Sequence, residues 1–229
     1  RRRQLAAVGR TLTMTARRPD PALELTGRYV RLVPLAVDDL PELFAALGTA
    51  QTFAGGYGGG LAPVDDPRLT LEGFVDFMGG YLAFGRGAVF GVRLRGGEHD
   101  GALIGTSTLG DLELARESAH IGWTAYDHRV WGTVVNPEAK LLMLGAAFDH
   151  GFGRVKLQAD ARNTRSRAAI ERLGATFEGI ARRDAPRVDG TWRDAAVYSV
   201  TVDDWPHVRD GLQERVDAWS DAPIDLPAK

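Results

Sequence analysis

The sequence predicts one mixed α/β domain, and three observations carry that prediction. From Leu25 onward, runs of strand type interleave with stretches whose apolar residues recur at helical spacing. No internal repeat or linker divides the chain. Its 229 residues, 44% hydrophobic and 25% charged, are enough for one large core without disulfide or metal staples.

The elements follow in order. Tyr29–Val33 alternates as a strand. Asp38 or Asp39 can cap a helix through Leu43, Phe44 and Leu47, with Gly48 just past its end. Residues 54–60, five of them glycine, are too rich in glycine for a helix or strand interior, so a mobile loop is expected. Thr70–Ala83 reads as a second helix with Phe74, Phe77, Met78 and Tyr81 on one face. Ala88–Leu94 and Ala102–Leu109 are strand-like, joined by a turn at 95–101, and His120–Tyr126 is a third such run. Pro137–His150 is apolar on nearly every face, which predicts a buried helix. Val155, Leu157 and Ala159 alternate as a strand. Ser166, Ala169, Ile170 and Leu173 mark an amphipathic helix closed by Gly174. Strands near Phe177–Arg183 and Trp192–Thr201 flank a turn at Asp189-Gly190. Asp203 opens a last helix with Trp205, Val208, Leu212 and Trp219 on one face.

Composition narrows the function. There are no cysteines, so thiol nucleophiles, Cys-ligated zinc and iron–sulfur clusters are excluded, and a reducing, cytoplasmic location is expected. The five histidines show no i, i+4 pair and no H-E-x-x-H, so no metal is expected. Net charge is −2, which argues against a bulk nucleic-acid partner. No apolar run approaches the roughly 18 residues that cross a bilayer, so no membrane partner is expected. Residues 1–18 carry six arginines and no acid. Residues 1–22 are therefore expected to be a flexible Arg-rich leader, 23–219 the folded domain and 220–229 a tail, with Met14 a candidate start.

Two segments carry the chemistry. In the first, a strand ending near Tyr126 feeds a short turn with Gly132, then a helix with Asn136 as N-cap, Pro137 and Glu138. Such a turn points unpaired amides outward at the positive end of a helix dipole, a site for a pyrophosphate. Gly132 has no Cβ to obstruct approach, and Arg129 can add charge. An ordinary well-capped strand–turn–helix is the plainer alternative. In the second segment, Asn163 can cap the helix or bind ligand amides. Arg165 and Arg167 can be solvated or hold phosphates.

Together these segments resemble the GNAT acyltransferase superfamily, in its RimJ/RimL-like branch, over roughly Leu25 to Trp205. Arg129-x-x-Gly132-x-Val134 is similar to the family's Arg/Gln-x-x-Gly-x-Gly/Ala pyrophosphate loop, departing at Val134. Ala161-Arg162-Asn163-x-x-Ser166-x-x-Ala169-Ile170-x-x-Leu173-Gly174-Ala175 resembles its later helix. The resemblance implies a central, mixed, mostly antiparallel twisted sheet of about six to seven strands flanked by helices, with a splayed strand pair holding CoA. It implies transfer of an acyl group, acetyl foremost, from acetyl-CoA or another acyl-CoA to a primary amine by direct attack.

The resemblance also assigns roles. Trp123, Thr124, Ala125 and Tyr126 would pair with pantetheine. Arg129, Val130, Trp131, Gly132, Thr133, Val134, Val135 and Asn136 would cradle the pyrophosphate, aided by Arg167. Asn163 would hold the pantetheine arm, and Ser166 would protonate the leaving thiolate. His120 lies where relatives often carry a carboxylate base, and an unperturbed pKa of about 6.5 suits that work. A packed strand histidine is the alternative. Tyr198 is a second candidate proton donor. The acceptor would lie along residues 54–60 and 70–83, and a second copy of the chain is a candidate partner. A non-catalytic acyl-CoA-binding module is the competing function.

Overall fold

The computed structural model describes residues 15–62, 64–220 and 222–227. A two-residue strand, β1 (Leu25–Thr26), turns into β2 (Val30–Pro34), followed by helices α1 (Leu40–Leu47), α2 (Ala50–Ala54) and α3 (Leu71–Tyr81). Strands β3 (Ala88–Leu94), β4 (Leu103–Glu113) and β5 (Ser118–Tyr126) form a meander. Helix α4 (Val135–Asp149) leads to β6 (Arg154–Asp160), and α5 (Thr164–Arg172) to β7 (Thr176–Pro186). Strand β8 (Trp192–Thr201) and helix α6 (Trp205–Asp217) close the domain. The sheet has eight strands in the order β1-β2-β3-β4-β5-β6-β8-β7. Among the described residues only β5 and β6 run parallel. The two residues of β1 make the difference from the expected six to seven strands.

The sheet separates two cores. On one face α4 and α6 bring Met143, Leu144 and Leu212 onto Ile121 and Leu157. On the other, α1, α2 and α3 bring Leu43, Phe53, Phe74 and Met78 onto Val89, with Trp123 and Ala125 packed against them. Glu138, 3% exposed, ties α4 to the entry of β2 by accepting the amides of Arg28, Tyr29 and Val30 at 2.6, 2.8 and 2.8 Å. Three amides on one carboxylate satisfy a charge that would otherwise be costly to bury.

Several expectations need correction. The glycine-rich segment contains the end of α2 and a 3-10 turn at Tyr57–Gly59, and it is tethered. Arg68 donates to the carbonyls of Gly58 and Gly60 at 2.8 and 2.5 Å while paired with buried Asp66, and Val188 N–H donates to Gly59 O at 3.1 Å. Helix α4 begins at Val135 with Val134 as its cap, so Asn136 is an inner first-turn residue. Residues 1–14 of the expected leader lie outside the described residues. Thr15 donates from its amide to Glu117 at 3.0 Å and Arg17 N–H donates to His150 O at 2.9 Å, so the described part of that leader lies along the domain. In the expected tail, Ile224 is buried in the α4/α6 core.

Candidate active site

The site is a split in the sheet. β5 and β6 pair only over Ser118–His120 against Arg154–Lys156. Beyond His120, Ile121–Tyr126 and Leu157–Asp160 diverge, while β4 keeps its hold on β5 and β8 on β6. A bulge sits at the divergence: Ser107 opposes both Trp123 and Thr124, and Trp123 adopts φ +49°. A left-handed tryptophan is strained, and such strain gathers where backbone is being re-aimed. Among the described residues, the edge of Trp123–Tyr126 facing the split has no strand partner, as an extended amide ligand lying there requires.

The turn from Asp127 to Val135 follows β5 at the open end of the split. Asp127, fully buried, caps a 3-10 turn at His128–Val130 by accepting Arg129 N–H at 3.0 Å. Its carboxylate also takes the Arg129 guanidinium at 2.6 Å, which holds it below the usual aspartate range against the opposing effect of burial. Arg129 is thus committed to the turn rather than free for phosphate. Val130, Val134 and Val135 are buried, so their side chains serve the core and only their backbone faces the turn. Val134 therefore departs from the resembled motif with a side chain that lies in the core, not in the turn. The Thr133 hydroxyl accepts Val135 N–H at 3.3 Å, and Thr133 N–H reaches Val130 O at 3.3 Å. The amides of Gly132, Val134 and Asn136 have no hydrogen-bond partner among the described residues. Three alternate N–H groups left without a partner at a helix start are an arrangement that can hold an anion. Gly132 adopts φ +80° with nothing within 4 Å of where its Cβ would lie, so glycine is needed there for conformation and leaves the approach open.

Helix α5 forms the far wall. Asn163 caps it, accepting Ser166 N–H at 2.9 Å, and its amide donates to Gly55 O at 2.5 Å. Both ends of Asn163 are therefore occupied in joining α5 to the glycine-rich segment. Ser166 stands in the first turn, half-buried, its hydroxyl unpartnered among the described residues. The two arginines exchange roles relative to expectation. Arg165 lies over the Trp131 ring at 3.4 Å, beside the amide cradle. Arg167 donates to the Tyr198 hydroxyl at 3.1 Å and lies over Phe177. Tyr198, fully buried, donates in turn to Glu171 at 2.7 Å, and burial raises its pKa. Its hydroxyl is spent on this network, which corrects Tyr198 as proton donor and Arg167 as phosphate ligand. Arg165 was legible only as one of two arginines on α5, since helix phase about Asn163 decides which one meets Trp131.

At the closed end of the split stands His120, 5% exposed. Its Nδ1 lies 2.9 Å from Asp111 Oδ2 on β4, and its ring lies against Trp123 with centroids 5.1 Å apart. Burial lowers its pKa, Asp111 pulling it back up and Lys156 pushing it down. A cavity of about 420 Å³ opens beside this group, lined by Arg86, Asp111, Glu113, Trp123 and Lys156 among others. On the opposite face, Lys140 of α4 is 4% exposed, its Nζ 3.0 Å from Ser107 Oγ and 2.7 Å from Thr124 Oγ1. With no carboxylate beside it, burial brings its pKa down to about 7. Neither Asp111 nor Lys140 carries a sequence signal, because strand pairing and helix phase alone bring them to the site.

Comparison with known proteins agrees with this geometry. The family model of the acetyltransferase (GNAT) domain matches residues 30–176, well over half the chain. The chain is 32% identical over 108 residues to YdaF of Bacillus subtilis (strain 168), a candidate ribosomal N-acetyltransferase, covering 47% of this chain and 58% of that protein's length. A GCN5-related N-acetyltransferase from Brucella melitensis superposes with TM-score 0.73 at 26% identity, over 89% of each chain. Mycobacterium smegmatis RimJ, solved in complex with CoA-disulfide, shares the fold with TM-score 0.61 at 22% identity, over 83% of this chain and 91% of that one. The chain belongs to the GNAT acetyltransferase family, and these likenesses accord with the RimJ/RimL-like branch that its motifs resemble. No helix among the described residues is long and apolar enough to cross a membrane.

Proposed function

We propose that this chain is an acetyl-CoA-dependent N-acetyltransferase that acylates a primary amine, either a polypeptide N-terminus or a small amine. The observation that carries this reading is the set of free amides at Gly132, Val134 and Asn136, standing at the open mouth of the β5–β6 split. Pyrophosphate is the anion whose oxygens suit alternate amides, and the split behind them suits an extended pantetheine arm.

With acetyl-CoA so held, the thioester lies toward the closed end, within reach of His120 from one side and of α5 from the other. The amine nitrogen bonds to the thioester carbon, His120 Nε2 takes the proton the amine must lose, and the C–S bond breaks. Ser166 gives its hydroxyl proton to the departing thiolate and is reprotonated from solvent. Base catalysis contributes about 10²–10⁴-fold in such steps. A non-catalytic binding module needs the amide cradle but no base, and the Asp111-held imidazole at the end of the split favours the enzyme.

The test is release of free thiol from acetyl-CoA across a panel of peptides, polyamines and amino compounds, beside a CoA titration. Turnover with at least one amine, lost in Gly132→Glu, is expected. CoA binding with no turnover on any amine would leave only the binding module.

A further inference from the structure

We infer that Asp111 and Gly122 are positioning residues that turn His120 into a base aimed at the thioester, Asp111 by fixing its proton and Gly122 by vacating the space its ring occupies. The inference rests on the reading of His120 as the base and adds how that base is made.

Three observations converge on the imidazole. A carboxylate can only accept a hydrogen bond, so the 2.9 Å contact to Asp111 places the proton on Nδ1 and leaves the lone pair on Nε2. That Nε2 is buried and has no hydrogen-bond partner among the described residues. An orphaned acceptor inside a strand is costly unless something arrives to satisfy it. The third observation is where Nε2 sits. A Cβ built on Gly122 would lie 2.6 Å from His120 Cε1 and 2.7 Å from Nε2, closer than real Cβ atoms approach. The ring thus fills the side-chain position of Gly122, between the last β5–β6 pair at His120 and the Trp123 bulge. Gly122 has no left-handed φ to require glycine, so the backbone would accept alanine and the ring would not.

Asp111 is itself specified. It lies at the register shift of the β4–β5 pair with φ +47°, and the irregular backbone swings its carboxylate onto His120. Lys156 of β6 reaches the same carboxylate at 3.7 Å. The charged groups acting on the imidazole are therefore Asp111 from β4, Lys156 from β6 and Lys140 from α4. Asp111 raises the His120 pKa and the two lysines lower it, so substitutions move the pH–rate limb in opposite senses.

The experiment is a double-mutant cycle. Gly122→Ala and Asp111→Asn are each measured alone and with His120→Ala, by kcat against pH and by calorimetric CoA titration. Gly122→Ala is expected to lower kcat by about 100-fold, the low end of a base's contribution, with CoA affinity unchanged. Asp111→Asn is expected to lower kcat by roughly tenfold and to move the acid limb to lower pH, while Lys156→Met moves it to higher pH. In the His120→Ala background neither Gly122→Ala nor Asp111→Asn lowers the rate further, because the ring they position is gone. Equal losses in both backgrounds, or full kcat in both single variants, would overturn the inference. Asp111 is half exposed, so its variant remains informative even where Gly122→Ala fails to fold. A wild-type pH profile in His120→Ala would overturn the base reading itself, and this inference with it.

Discussion

The two ends of β5 do different kinds of work. At the open end, backbone makes the site: alternate amides, a left-handed glycine, and valines that only fill the core beneath. At the closed end, side chains from three strands make it: His120 from β5, Asp111 from β4 and Lys156 from β6. A backbone site tolerates change in side chains provided the turn survives, whereas a side-chain site depends on partners far apart in sequence. On the function proposed above, the contrast would separate binding from chemistry along a single strand.

The sharpest way to break the contrast is at Gly132. Gly132→Glu places a carboxylate over the amide cradle on a backbone that favours glycine, and CoA affinity is expected to fall about 100-fold or more, roughly 2.7 kcal/mol or more. Calorimetry checks this, with a thermal melt to confirm folding. Ser166→Ala probes the α5 wall. If its hydroxyl protonates the thiolate, kcat falls by about 10²-fold while the KM for acetyl-CoA changes little, because the interaction exists chiefly in the transition state. Steady-state rates at saturating amine decide it, and an unchanged kcat would return Ser166 to a first-turn packing role.

Lys140 sharpens the comparison from beneath. Its amine titrates near 7 folded and near 10.5 unfolded, so between those values the unfolded chain holds the extra proton. Stability should therefore rise with pH from about 7 to 10. Lys140→Met is expected to remove that slope and to stabilise the fold at pH 7 by on the order of a few kcal/mol. Denaturant melts at pH 7 and 9 measure it. The smallest effects are expected at the open end's arginines. Arg165→Ala should weaken CoA several-fold, about 1 kcal/mol, by removing an exposed cation over Trp131. Arg129→Ala should act through the turn, lowering the melting temperature along with affinity.

This division also decides what was legible in the sequence. The strand, turn and buried helix around Gly132 are contiguous, so local signals were enough to locate those elements. The same local reasoning misplaced the cap at Asn136, because the preceding turn extends helical backbone back to Val135. It also took residues 54–60 for a mobile loop, since Arg68, Asn163 and Val188, which tether them, are remote in sequence. Tyr198 carried a plausible chemistry and a strand position, and burial against Glu171 and Arg167 removes it. Asp111 and Gly122 had no motif at all. Their meaning comes from a bulge and a register, which only the folded sheet supplies.

The central claim is that binding and chemistry sit at opposite ends of β5. The direct test is calorimetric titration of CoA into His120→Ala protein, with Gly132→Glu titrated beside it. The account predicts wild-type affinity in His120→Ala, although that variant turns over poorly, and affinity weaker by about 100-fold or more in Gly132→Glu. Loss of CoA binding in folded His120→Ala, or wild-type binding in folded Gly132→Glu, would contradict it.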